Sequence, residues 1–124
     1  MSNVYPSLRY RDAAAAVDFL QRAFDFEPKA VHRNDDGTIA HAELSCGDGL
    51  IMLATERETD RWGAHAGQGW VYVAIDDIDR GYERAKAAGA EIVMEPTDQD
   101  YGSRDYSARD PEGNLWSFGT YRPA

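Results

Sequence analysis

The sequence predicts an α+β fold built from two consecutive βαβββ modules. Identical residues recur at a fixed separation of 65 positions, as from Asp12 to Asp77 and from Gly37 to Gly102. The first pair lies at predicted helix caps and the second at predicted turns, and the same offset aligns the strands that end each module. Such register across several elements is typical of an internal duplication. With 43% of its 124 residues hydrophobic, the chain can bury a core.

Module 1 is predicted to contain one helix and four strands. A short strand over Val4–Tyr10 stops before Asp12, a residue type that favours a helix N-cap. The Ala-rich stretch Ala13–Phe24 then has the apolar spacing of an amphipathic helix. Turn residues at Asn34–Gly37 and Gly47–Gly49 separate the strands that follow. Those strands are predicted at Ala30–His32, Ile39–Ser45 and Leu50–Ala54.

Module 2 repeats that order. Trp70–Ile75 is predicted as a strand, Asp76 and Asp77 cap a helix that extends to Ala88, and Gly89 ends it. The remaining strands are predicted at Glu91–Met94, Asp105–Arg109 and Leu115–Thr120. A charged, Gly-containing linker, Glu56–Gln68, joins the modules. We therefore expect one domain over residues 1–124, with module 1 at about 1–58 and module 2 at about 68–124.

Charge and cysteine content exclude several classes of protein. Thirteen basic residues against 22 acidic ones give a net charge of −9, which repels nucleic acid and anionic membrane surfaces. No run of about 18 apolar residues and no signal-peptide pattern occurs, so no membrane span is expected. The single Cys46 cannot form an intramolecular disulfide, which favours a reducing, cytoplasmic location.

Two sequence motifs add a family resemblance. The stretches Val73–Asp79 (VAIDDID) and Arg109–Asn114 (RDPEGN), combined with the module order, resemble the vicinal oxygen chelate superfamily. That group includes glyoxalase I, extradiol dioxygenases, and fosfomycin and bleomycin resistance proteins, and the resemblance covers essentially the whole chain. It implies the glyoxalase/bleomycin resistance/dihydroxybiphenyl dioxygenase-like fold, in which the two modules form a curled mixed sheet around a cleft. It also implies a homodimer.

The resemblance further identifies the positions that bind metal in other members. There, each module supplies ligands near the start of its first strand and in the middle of its last, usually His, Gln or Glu. The family spacing assigns these four places to Tyr5, Met52, Trp70 and Ser117. A thioether, a serine hydroxyl and an indole are poor ligands for Zn²⁺, Ni²⁺, Fe²⁺ or Mn²⁺. The resemblance therefore predicts no metal and no other cofactor, and favours a binding protein that sequesters a small molecule such as a bleomycin-like antibiotic.

Strand alternation extends this predicted cleft. If Tyr5 and Trp70 point into it, so do Ser7, Arg9 and Tyr72. Aromatic faces can stack on a flat heteroaromatic ligand or hold a cation, each contact contributing roughly 0.5 to 2 kcal/mol. The negative net charge also favours a cationic ligand. In the alternative interpretation, the two aromatic residues only fill a former metal site. The predicted ligand-binding residues are Tyr5, Ser7, Arg9, His41, Glu43, Met52, Trp70, Tyr72, Tyr106 and Ser117.

His41 and Glu43 support a second function class. They lie two residues apart on one strand, so they face the same side and can form a hydrogen-bonded acid/base pair, or simply line a solvated sheet face. The 65-residue offset pairs His41 with Tyr106. The alternative function is thus an enzyme of lyase, isomerase or dioxygenase type that uses His41 and Glu43 or an unrecognised divalent metal site.

Two further expectations concern charged and linker residues. Arg104 and Arg109 are expected to form exposed ion pairs with Asp105 or Asp110, or else to bind an anionic group. Trp62, in the linker, is expected to pack locally or at a dimer contact.

Overall fold

Two four-stranded mixed sheets, each packed against one helix, make up the described chain. The computed structural model describes residues 3–57 and 65–123. The predicted order β-α-β-β-β occurs twice, which confirms the α+β fold class. The elements are β1 (Ser7–Tyr10), α1 (Ala13–Phe24), β2 (Glu27–Arg33), β3 (Ile39–Cys46), β4 (Gly49–Thr55), β5 (Trp70–Ala74), α2 (Ile78–Ala87), β6 (Glu91–Asp98), β7 (Arg104–Arg109) and β8 (Leu115–Gly119).

The two sheets have the same topology. Sheet A has the strand order β1-β4-β3-β2, and sheet B has the order β5-β8-β7-β6. In each sheet the first strand of the module pairs in parallel with the last, and the remaining pairs are antiparallel. The sheets are separate hydrogen-bonded units in the described part of the chain. Neither of the helices described is long and apolar enough to cross a membrane.

The helix caps lie where the sequence predicts them. The Asp12 carboxylate accepts a hydrogen bond from the amide of Ala15 at 3.1 Å, and the Asp77 carboxylate accepts one from the amide of Arg80 at 3.1 Å. Each bond satisfies an amide that the first turn of a helix leaves unpaired. Strand β1 begins at Ser7, later than the predicted Val4.

The core is shared by both modules. Phe24 and Phe26, at the end of α1, contact Trp116 and Phe118 of β8, with ring centroids 4.8 to 6.4 Å apart. Tyr106 of β7 stacks on Phe118 with centroids 4.9 Å apart and an interplanar angle of 14°. The helix-facing sides of both sheets therefore form one apolar interior. The other side of each sheet, which we call its open face, carries the polar and exposed alternate residues.

A buried carboxylate also joins the modules. Asp110, in the turn between β7 and β8, accepts hydrogen bonds from the Tyr10 hydroxyl at 2.5 Å and from the Trp116 indole at 3.0 Å. Next to it, the Glu112 carboxylate accepts from the amides of Arg11 and Asp12 at 2.6 and 2.8 Å. Burial, and then the nearby Asp110 charge, raise the pKa of the Tyr10 hydroxyl far above its usual value.

A β-bulge changes the equivalence between the modules. In sheet A, His32 pairs with His41 but Arg33 pairs with Ile39, so Ala40 has no partner in the ladder. Sheet B has no extra residue at this place, because its Thr97 pairs with Asp105 and its Asp98 with Arg104. Residues of β3 beyond the bulge therefore correspond to residues 64 positions later in β7, whereas β4 and β8 keep the offset of 65. The equivalents of His41 and Glu43 are Asp105 and Ser107.

Candidate ligand-binding site

An anchored tryptophan dominates the open face of sheet B. Trp70, the first residue of β5, is 74% exposed. Its indole N–H donates to the Ser117 hydroxyl oxygen on β8 at 3.1 Å, and that oxygen lies 3.1 Å from the hydroxyl oxygen of Ser107 on β7. The indole is thus oriented by the sheet while most of its surface remains open. This arrangement offers a flat apolar platform to a ligand.

Tyr72 lies beside this platform on the same strand. It pairs with Ser117 in the parallel ladder, and its hydroxyl donates to the Tyr121 carbonyl oxygen at 2.6 Å. The residue stays 40% exposed. Desolvation raises the pKa of the Tyr72 hydroxyl, and the nearby Asp105 carboxylate raises it further. A neutral hydroxyl with a fixed partner therefore holds this second ring in place.

The open face of sheet A presents polar groups. Ser7 and Glu43 both pair with Met52, so the three residues form one row across β1, β4 and β3. The imidazole Nε2 of His41 lies 2.9 Å from a carboxylate oxygen of Glu43, with side-chain exposures of 39% and 36%. The predicted hydrogen-bonded pair is therefore present, and it faces the open side. The His32 ring stacks on His41 with centroids 6.2 Å apart.

One of the predicted site residues lies elsewhere, and the side-chain direction of another is not set by a strand. Tyr106 is 1% exposed and packs in the core, so the expectation that it lines a cleft with His41 is wrong. The bulge at Ala40 is the reason, because a shift of one residue moves a strand's side chains to its opposite face. Tyr5 precedes β1 and is 45% exposed, so its position does not follow from strand alternation. Trp62 lies outside the described residues.

The residues at the four family metal positions do not fit a divalent metal. The Trp70 nitrogen carries its hydrogen and uses it to donate to Ser117. The Ser117 oxygen is shared with Ser107, and Met52 offers only a thioether. Within residues 3–57 and 65–123, no group of three or more His, Cys, Asp or Glu residues is placed to hold a metal ion.

Concave surfaces lie at the junction of the modules. A crevice of about 340 Å³ lies between β5, which contributes Tyr72, and the start of β4, with Val4 and Pro6 also lining it. A smaller one of about 190 Å³ includes Ser7 and Arg9. A larger crevice of about 490 Å³ lies between the end of α1 and the start of α2 and includes Cys46. Burial raises the pKa of the Cys46 thiol, so this thiol is a poor nucleophile.

The structure also corrects the expected ion pairs. Arg104 pairs with Asp79 at 2.8 Å and with Asp98 at 3.1 Å, and not with Asp105. Arg109 donates to the Gly113 carbonyl oxygen, and not to Asp110. Both aspartates expected in surface ion pairs are buried: Asp105 is 8% and Asp110 is 4% exposed. The sequence pattern did not single out Asp105, Tyr101 or Tyr121 as neighbours of the open face. For Asp105 the reason is the bulge, which shifts its register relative to β3.

Comparison with known proteins gives a consistent result. The sequence matches the family described as Glyoxalase/Bleomycin resistance protein/Dioxygenase superfamily over residues 4–118. Uncharacterized proteins of Mycobacterium tuberculosis and Mycobacterium bovis are 31% identical over 124 residues; each alignment spans 92% of this chain, and 71% and 80% of those proteins respectively.

Solved structures resemble the chain over nearly its whole length. TioX from Micromonospora sp. ML1 is 35% identical, with a TM-score of 0.84, over 98% of this chain and 100% of that one. A glyoxalase/bleomycin resistance protein from Streptomyces sp. CB03234 has 19% identity and a TM-score of 0.75, over 94% of this chain and 98% of that one. This second likeness concerns the fold alone.

Proposed function

The chain belongs to the glyoxalase/bleomycin resistance protein/dioxygenase superfamily, and from this premise we propose that it is a metal-free small-molecule binding protein. The proposed ligand is flat and cationic, of the kind found among heteroaromatic antibiotics, and it stacks on Trp70. The observation that carries the proposal is the anchored yet 74% exposed Trp70 indole. Trp70 and the exposed Tyr72 lie two residues apart on β5, and neighbouring exposed apolar side chains of this kind mark interaction sites.

The energetics favour this use of the platform. A ligand that covers one face of the Trp70 ring removes on the order of 80 Å² of apolar surface from water, which stabilises the complex by about 2 kcal/mol. Because Ser117 already holds the indole, little side-chain entropy is lost on binding. The net charge of −9 attracts a cation over the whole surface.

The proposal includes the absence of a metal. The chemistry of the donor set at Tyr5, Met52, Trp70 and Ser117 supports it, because no carboxylate or imidazole stands at any of the four positions. It also includes a homodimer, which the family implies and whose two copies would be related by a two-fold axis. Light scattering at micromolar protein should give twice the chain mass, and a monomer would contradict this part of the proposal.

One observation favours a second candidate function. The His41–Glu43 hydrogen bond of 2.9 Å on an open face is the geometry of an acid/base pair. The second candidate is therefore an enzyme of lyase, isomerase or dioxygenase type in which this pair transfers a proton. His41→Ala should then reduce its rate by about 10² or more.

Binding measurements on a small set of variants separate the two candidates. Proflavine, a flat heteroaromatic cation, reports binding through its own fluorescence anisotropy, so the loss of a tryptophan does not remove the signal. Trp70→Ala should weaken binding about tenfold or more, whereas Trp70→Phe, which keeps a flat ring, should retain most of it. Val93→Ala, which removes an exposed apolar side chain on β6, is the matched control. Loss of binding in His41→Ala with no change in Trp70→Ala would favour the second candidate.

A further inference from the structure

Asp105 is a buried carboxylate for which the described residues offer no cationic partner. It is 8% exposed and accepts hydrogen bonds from the hydroxyls of Ser103, at 2.5 Å, and Tyr101, at 3.0 Å. In the described part of the chain, no Lys, Arg or His nitrogen lies within 4.0 Å of it. The neighbouring Arg104 is engaged by Asp79 and Asp98 instead. Buried carboxylates are rarely left unpaired, because desolvation penalises their charge.

Asp110 shows what a structural buried carboxylate looks like in the same chain. Its two oxygens accept from five donors, two of which are backbone amides. Those donors compensate its charge fully from within the protein. Among the residues that the structure describes, Asp105 accepts from two hydroxyls and from no backbone amide, so fewer donors face its charge than face that of Asp110.

Three tyrosines lie near this carboxylate, and Tyr101 and Tyr72 are the two closest to it. The rings of Tyr101 and Tyr121 stand perpendicular, at 87°, with centroids 5.9 Å apart. Tyr72 joins them through its hydrogen bond to the Tyr121 carbonyl oxygen. All three rings are exposed, by 64%, 51% and 40% respectively. The hydrogen bond to Asp105 raises the pKa of the Tyr101 hydroxyl, so this hydroxyl stays neutral at physiological pH. We call Asp105, Tyr72, Tyr101 and Tyr121 the Asp105 cluster.

A glycine makes the close approach of these groups possible. Gly119 pairs with Asp105 in the antiparallel ladder, and a Cβ placed on it would lie 2.5 Å from the Tyr72 hydroxyl and closer still to a carboxylate oxygen of Asp105. Any larger residue at this position would displace both groups. The Tyr72 ring and the Asp105 carboxylate can therefore approach each other because residue 119 has no side chain.

Resting on the proposed binding function, we infer that the Asp105 cluster is the subsite for an organic ammonium group of the ligand. The cation lies against the faces of the exposed tyrosines, and the Asp105 carboxylate supplies the countercharge. Aromatic faces attract alkylated ammonium groups through the negative charge of the ring face. Trp70 lies on the same strand as Tyr72, two residues away, so one ligand can stack on Trp70 and place its cationic end in the cluster.

Choline and its neutral isostere 3,3-dimethylbutan-1-ol test the inference directly. They have the same shape and differ in charge. Titration into the ¹⁵N-labelled full chain should produce saturable amide shifts across Tyr101 to Tyr106 and at Tyr121 with choline only. Methylammonium in a parallel titration distinguishes a hydrogen-bonded primary ammonium from a quaternary one. Sodium chloride at equal ionic strength corrects for general screening.

Matched variants separate the cluster from the overall charge. Asp105→Asn and Asp98→Asn each remove one negative charge, but Asp98 is exposed and paired with Arg104. Asp105→Asn should weaken choline binding about tenfold, and Asp98→Asn should leave it unchanged. Tyr121→Ala removes an exposed ring without touching the buried carboxylate, so it keeps the test valid if Asp105→Asn unfolds. It should weaken binding at least about threefold.

Three results would contradict the proposed ammonium subsite. Equal shifts from choline and the neutral isostere, no saturable shift up to about 100 mM, or equal effects of the two asparagine variants would overturn the inference. The proposed function has a separate readout, because proflavine stacking depends on Trp70. Proflavine binding that is lost in Trp70→Ala but indifferent to choline would leave the function standing and remove only the cationic subsite.

Discussion

Replacing Tyr10 with phenylalanine removes the hydroxyl through which β1 binds the buried Asp110. The Tyr10 ring is fully buried, and its hydroxyl donates to the Asp110 carboxylate at 2.5 Å. A hydrogen bond to a charged group contributes about 1.5 to 3 kcal/mol. Because Asp110 keeps its other four donors, we expect Tyr10→Phe to lower the free energy of unfolding by about 2 kcal/mol at pH 8.

The same hydrogen bond makes the difference in free energy of unfolding between wild type and Tyr10→Phe depend on pH. The pKa of Tyr10 is far higher in the folded protein than its unfolded value of about 10. The Tyr10 hydroxyl therefore contributes its full stabilisation below pH 10. Above pH 10 this stabilisation falls by about 1.4 kcal/mol for each pH unit. The buried Tyr106, whose pKa is also raised, is present in both proteins and cancels in the comparison.

Urea unfolding followed by circular dichroism measures this directly. The stability difference between wild type and Tyr10→Phe should fall from about 2 kcal/mol at pH 8 to under about 1 kcal/mol at pH 11. A difference that stays constant from pH 8 to pH 11 would refute the assignment of the raised pKa to Tyr10. A difference under about 0.5 kcal/mol at pH 8 would show that this contact does not hold the modules together.

Three further predictions concern the helices and the single thiol. Asp77→Ala removes the N-cap of α2 and should lower stability by about 1 kcal/mol in urea unfolding, whereas Asp77→Asn, which can still cap, should lower it less. Phe24→Ala leaves a cavity next to Trp116 and Phe118. It should lower the free energy of unfolding by about 3 to 5 kcal/mol, or prevent folding, as judged by thermal melting. Cys46, whose pKa is raised by burial, should react with iodoacetamide more slowly than free cysteine at pH 7.5, as measured by mass spectrometry.

Local signals were enough to predict the order of the elements. Asp12 and Asp77 cap their helices because an aspartate before an amphipathic stretch offers a carboxylate to the free amides of the first turn. The family resemblance, carried by Val73–Asp79, Arg109–Asn114 and the module order, is likewise confirmed by the match over residues 4–118. Caps and short motifs each depend on a few neighbouring residues, which is why they can be read from the sequence.

The candidate site was harder to predict, because it depends on strand register. An offset of 65 makes Tyr106 the equivalent of His41, but the bulge at Ala40 makes Asp105 the equivalent instead. A slip of one residue exchanges a core tyrosine for a carboxylate on the open face. Nothing in the local sequence around Ala40 marks the bulge, since its position is set by pairing with β2.

The hydrogen-bond and ion-pair partners of Asp105 and Asp110 could not be predicted from the sequence either. Asp110 and Tyr10 are separated by 100 positions, and their hydrogen bond follows from how the two modules pack. The sequence pattern around Asp105 equally favours a surface ion pair with Arg104. In the structure, Arg104 pairs with Asp79 and Asp98 instead. Such choices depend on tertiary contacts, whereas caps and turns do not.

A titration of proflavine into chelator-treated wild type, side by side with Trp70→Ala, tests the central claim most directly. The claim is that Trp70 holds a flat cationic ligand without a metal. We predict saturable binding to the chelator-treated wild type and a loss of affinity of about tenfold or more in Trp70→Ala. Binding that requires added Zn²⁺ or Mn²⁺, or that is the same in both proteins, would contradict it.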